Sequence, residues 1–141
     1  MEVIQVDDVY VQLVELKKLI RVVDPGEHAT LVAGGIRENI DFRLSKDGKW
    51  VEEDQTMGLS FATTMKKFKN LVKLKKRRVG QIDIYAVDEH SVHIDGLRFI
   101  HDSPGHASLV VTKRMPVRDL IERLEQLATK MEPIGRLWIA P

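Results

Sequence analysis

From Pro116 onward, Val117, Leu120, Ile121, Leu124, Leu127 and Ala128 recur at the spacing of one helix face. Pro116 suits the first turn of that helix, where its missing N–H would be unpaired anyway. Pro133 is expected to stop it. So continuous an apolar stripe needs an apolar surface to cover, and the chain offers one in short segments of alternating pattern. Leu19-Ile20-Arg21-Val22-Val23 reads as a strand ended by Asp24-Pro25-Gly26. Ile82, Ile84 and Ala86 alternate with Asp83, Tyr85 and Val87. Val92 to Ile94, Leu97 to Ile100 and His106 to Thr112 read as further extended pieces, with a turn at Asp95-Gly96.

The first half of the chain is less decided. Residues 8 to 19 fit a helical stripe through Val9, Leu13, Leu16 and Ile20, yet Val9, Val11 and Leu13 also alternate as a strand would. A helix or helical turn leading into the Leu19–Val23 strand is the expected outcome. Leu31 to Ile36 reads as a short strand bent at Gly34-Gly35. Ile40, Phe42 and Leu44 alternate up to a Ser45-Lys46-Asp47-Gly48 turn, and Trp50-Val51 leads back. Thr63 or Thr64 can cap a helix running to about Lys75, with Met65, Phe68, Leu71 and Val72 on its apolar stripe. Arg136 to Ile139 is expected as an edge strand. Helices and strands that do not alternate strictly argue for an α+β fold on a mixed or antiparallel sheet, with two or three helices.

With 141 residues and no visible linker or repeat, the chain reads as a single domain, residues 1 to 141. It has no cysteine, which excludes disulfide staples and a thiol nucleophile and fits a cytoplasmic setting. Met1 to Asp8 has two early acids and no apolar run, so no signal peptide is expected there. No segment approaches the ~18 apolar residues of a membrane span. The formal net charge of +1 names no partner by itself.

The local distribution of charge says more. Lys66, Lys67, Lys69, Lys73, Lys75, Lys76, Arg77 and Arg78 follow one another with no acid among them. Such a run can bind the phosphates of a nucleotide or nucleic acid. It can equally be a solvated helix face whose lysine stems cover apolar surface. Four of the five histidines, His90, His93, His101 and His106, fall in one short window. No ligand pair at metal spacing accompanies them, so no metal site is expected. His106 follows a turn and opens an apolar strand, which lets its ring face a pocket as an acid or base. Met57 to Thr64 reads as a small, hydroxyl-rich connection between strand and helix. There Gly58 would admit a ligand close to the backbone, and Ser60 and Thr63 would offer hydroxyls to a ribose or phosphate. The chain lacks a phosphate-binding GxxxxGK[ST] loop, a GxSxG elbow and a dinucleotide fingerprint.

The order of these pieces resembles a known family. Arg21 on an early strand is followed by Gly58-Leu59-Ser60-Phe61, then Asp95-Gly96-Leu97 and Asp102. His106-Ala107-Ser108-Leu109 comes next, and Met115-Pro116 opens the last helix. This resembles small cytoplasm-acting toxins delivered by type VI secretion, whose fold is similar to mono-ADP-ribosyltransferases. The likeness spans roughly residues 56 to 128, and 19 to 23 more loosely. It implies a toxin that uses NAD to modify an intracellular target, within the producing or a recipient cell, and that has an antitoxin or immunity partner. By the same resemblance Arg21 would hold the cofactor phosphate, and Ser60, with Gly58 and Thr63, the ribose. Many such transferases place a glutamate on a late strand. Leu109 to Thr112 has none, and Glu122 and Glu125 on the last helix look solvent-facing. The acid–base role would then fall to His106, assisted by Asp102. Two readings stand beside this one: a binding module gripping nucleic acid or an acidic protein through residues 66 to 78, and an endoribonuclease toxin in which His106 and the basic side chains act on RNA.

Overall fold

The computed structural model describes residues 18–31, 36–37, 39–79 and 81–138. Its elements are β1 (Leu19–Val23), β2 (Trp50–Val51), β3 (Asp54–Ala62), α1 (Met65–Val79), β4 (Gln81–Val87), β5 (Leu97–Ser103), β6 (His106–Val111), β7 (Met115–Pro116), α2 (Val117–Ala128) and β8 (Glu132–Trp138). Six strands form one sheet in the order β5-β6-β3-β1-β4-β8, and every pairing in it is antiparallel. The fold is therefore α+β. The helix expected before β1 falls on residues 8 to 17, outside the described residues.

Side chains of directly paired residues share a face of the sheet, and the face switches at each successive residue. Ile20 pairs with Ala62 and with Ala86, and Val22 with Ile84. These residues form one apolar layer with Phe68 and Val72 of α1. On the opposite face Leu19, Leu59, Phe61, Ala107, Leu109 and Val111 pack with Leu120, Leu124 and Leu127 of α2. Each face of the sheet is thus covered by one of these two helices. The α2 stripe is as expected, with its three leucines fully buried. Each contributes about 1.5–3 kcal/mol of transfer free energy.

The α2 face also holds the segment between β1 and β2. Ala29 and Phe42 are buried there, and the Thr30 hydroxyl donates to the Leu124 carbonyl at 2.8 Å. The expected hairpin forms around the Ser45-Lys46-Asp47-Gly48 turn, where the Ser45 amide donates to the Trp50 carbonyl and the Glu52 amide to the Arg43 carbonyl, with Leu44 bridging Val51. Ile40 is not part of it and is 64% exposed in a turn. Leu31 and Ile36 lie outside any strand, and residues 32 to 35 between them are outside the described residues. β2 also pairs with β7, a contact the sequence pattern did not signal.

Three more expectations are corrected. Residues 92 to 94 form no strand; a 3₁₀ turn at Glu89–Ser91, capped by the Asp88 carboxylate, precedes them and turns Val92 and Ile94 into the core. Met57 to Ala62 is part of β3 and not a connection, so only Thr63 and Thr64 join β3 to α1. Pro133 does not stop α2, which ends in a tight turn where Lys130 and Met131 donate to Leu127 and Ala128. Pro133 lies inside β8, tolerated because β8 is an edge strand and the register shifts beside it. Among the described residues no helix is long and apolar enough to cross a membrane.

Candidate functional site

The β5–β6 hairpin brings two of the sequence candidates together. It turns at Pro104-Gly105, where Gly105 has a φ of 76° that favours glycine. β5 shifts register between Ile100 and Ser103, a bulge that re-aims the side chains within it. Asp102 lies in that bulge, and its Oδ1 is 2.6 Å from Nδ1 of His106. Its other oxygen, Oδ2, accepts from the Ser108 hydroxyl, also at 2.6 Å. Burial pushes the Asp102 carboxyl up, but the hydrogen bonds from Ser108 and His106 outweigh it and hold the group below its ordinary value. An ionised carboxylate only accepts, so this contact is made through a proton on His106 Nδ1. The His106 side chain is 14% exposed and that of Asp102 38%, so solvent reaches both.

The hairpin tip docks on the start of α1. The Thr63 amide donates to the Gly105 carbonyl at 2.8 Å. Gly105 lies so close to Thr64 that a Cβ on it would come within 2.4 Å of the threonine Oγ1. That Oγ1 accepts from the Lys67 amide at 3.3 Å, so Thr64 is the helix cap. Of the 15 residues of α1, none is acidic. The first turn carries Lys66 and Lys67, where the helix dipole favours anions. Lys66, Lys69 and Lys73 are exposed. The side chains of Lys75, Lys76, Arg77 and Arg78 lie outside the described residues.

His106 pairs with Ala62 and Ser108 with Ser60, so His106, Ser108 and Ser60 share the α1 face. Arg21 does not. It is one residue along from Ile20 and therefore points to the α2 face, with the sheet between it and His106. Nor is it an edge-strand surface charge: β1 is internal to the sheet and Arg21 is 7% exposed. Its Nε donates to the Ala29 carbonyl and one terminal nitrogen to the Ser60 carbonyl, each at 3.2 Å. Its guanidinium lies 5.9 Å from the Phe61 ring centroid. Burial lowers its pKa to about 10, with Asp41 opposing that fall. Gly58 has a close neighbour, but it is backbone: a Cβ there would sit 2.0 Å from the Leu109 carbonyl oxygen. Glu122 and Glu125 are exposed on α2, as their spacing implied.

The other histidines stand apart. His90 and His93 are exposed, and His101 Nε2 lies 2.9 Å from a Glu89 oxygen. Among the described residues no three His, Cys, Asp or Glu side chains group as metal ligands would. A concavity of about 280 Å³ between β4 and β8, lined by Asp83, Tyr85, Pro133, Gly135 and Arg136, includes none of the candidate residues. Ser108 is the side chain bonded to this pair that residue-by-residue reading missed. Its signal was present, since two residues beyond His106 on a strand is the same face. No protein-family model, curated protein or solved structure matches this chain.

Proposed function

We propose that the α1 face binds RNA and that His106 cleaves it as an acid–base catalyst, the work of an endoribonuclease. One observation carries this reading: the acid-free basic helix begins beside the Asp102–His106 pair, on the same face of the sheet. His106 Nε2 takes the proton of a ribose 2′-hydroxyl as that oxygen attacks the neighbouring phosphorus. The bond to the 5′-oxygen breaks, leaving a 2′,3′-cyclic phosphate and a 5′-hydroxyl that takes its proton from water. Lysines at the start of α1 hold the phosphate and offset the charge that develops on it. The reaction needs a 2′-hydroxyl, so DNA would be bound and not cut.

The test is incubation of the purified protein with mixed-sequence RNA and with DNA of the same sequence. Expected are 2′,3′-cyclic ends from RNA alone, and their loss in His106→Ala with binding retained. Intact RNA after long incubation with folded wild type sinks the nuclease reading. Binding without cleavage would leave the helix as a nucleic-acid module.

A second reading follows the family resemblance: a toxin with an ADP-ribosyltransferase-like fold, acting on an intracellular target with NAD and countered by an antitoxin or immunity protein. Ser60 and His106 on one face favour it, as ribose contact and acid–base group. Arg21, on the other face, would have no part in that cleft. Growth arrest with NAD loss in expressing cells, both absent in His106→Ala, would support it over cleavage of RNA.

A further inference from the structure

Among the described residues the hydroxyl of Ser108 donates to one acceptor, the carboxylate that touches His106. We propose that Ser108 is a positioning residue: by donating to Asp102 Oδ2 it turns Oδ1 onto His106 Nδ1 and so selects the tautomer in which Nε2 is the base. The inference rests on the reading of His106 as the acid–base group and names what sets its protonation geometry.

Three features support it. Asp102 lies in the β5 bulge, so the regular ladder alone does not hold its side chain in place. Ser108 does lie in regular ladder, opposite both Ser60 and Ile100, and is only 5% exposed. A hydroxyl fixed in that way is a stationary donor, and a carboxylate whose second oxygen is engaged has lost its freedom to rotate about the Cβ–Cγ bond. The spacing also suits two donors on one carboxylate. Ser108 and His106 are two residues apart on one strand, so both reach the same carboxylate from the same side. Each contact is 2.6 Å, short enough for a charge-assisted hydrogen bond.

The experiment reads the His106 ring directly. Imidazole nitrogen shifts are recorded in wild type, Ser108→Ala and Ser103→Ala, with the His106 signals assigned by their loss in His106→Ala. Ser103 is an exposed β5 residue opposite His106 and serves as the packing control. Wild type is expected as the Nδ1–H tautomer, Ser108→Ala as a mixture of both tautomers, and Ser103→Ala as wild type. On RNA, Ser108→Ala is expected to lower kcat about tenfold at unchanged KM, the size of one lost hydrogen bond. An unchanged tautomer in Ser108→Ala overturns the proposal, as does an equal change in Ser103→Ala. If wild type cleaves no RNA, the nuclease reading falls, while the nitrogen shifts still decide the role of Ser108.

Discussion

On the α2 face of the sheet, Leu120, Leu124 and Leu127 meet Leu59, Phe61 and Leu109, and the Phe61 and Phe99 rings meet edge-on at 5.1 Å. Arg21 in that region is buried and spent on two backbone carbonyls. On the α1 face the apolar layer is smaller and stops near Ala62. Beyond it the same strands carry Ser60, His106 and Ser108, with Asp102 reaching across from β5. The helix above that face carries Lys66 and Lys67 in its first turn, against its own dipole. Stability is concentrated on one face, and groups that can do chemistry on the other. A cation on the α2 face is therefore structural, whereas a cation on α1 has electrostatic work left to do.

That contrast can be broken in several ways. The largest effect is expected for His106→Ala, a loss of about a hundred- to ten-thousandfold in RNA cleavage. Its unfolding midpoint in urea should hardly move; a large drop would make His106 a structural residue and erase the distinction. Next comes Leu124→Ala, which should cost about 2–5 kcal/mol in denaturant unfolding. Val72→Ala, on the buried side of α1, should cost less. Equal losses would mean that both faces carry the core alike.

Lys66→Glu sharpens the comparison because its two effects have opposite signs. An acid in the first turn of α1 should stabilise the fold by about 0.3–1 kcal/mol. It should also weaken RNA binding and flatten its salt dependence, which filter binding at two ionic strengths would read. A variant that is both weaker in binding and less stable would assign Lys66 to the fold. The smallest effect is on acid stability. The folded-state pKa of Asp102 lies below its unfolded value, so its contribution is present above the usual carboxylate range and lost as pH falls through the lowered value. Asp102→Asn should therefore flatten the most acidic part of a stability-versus-pH curve, which urea unfolding at a series of acidic pH values would read.

The sequence made some of this legible. Leu19–Val23 has the bounds its pattern implied, and the α2 stripe buries the leucines it named. The resemblance named His106 with Asp102, and the hairpin that turns at Pro104-Gly105 brings those two side chains together. What stayed hidden depended on partners distant in the chain. Gly58 reads as a ligand-admitting glycine in a connection, and only the Leu109 carbonyl against it explains a glycine inside β3. Nothing local to Arg21 says that it is buried, because that follows from β3 and β4 flanking its strand. Pro133 reads as a helix stop because nothing local says that the chain is already extended and at an edge. Strand order lies behind each of these, and it is a property of the whole sheet.

The outermost strand has one more effect. In β8 the Pro133 nitrogen has no hydrogen to offer, and Gly135 adopts a φ of 152° next to a break in register. A neighbouring molecule seeking to extend the sheet there would meet an interrupted row of donors and acceptors. This side of the protein is a poor template for fibril growth, so crowded solutions should not drive it into cross-β polymers through β8.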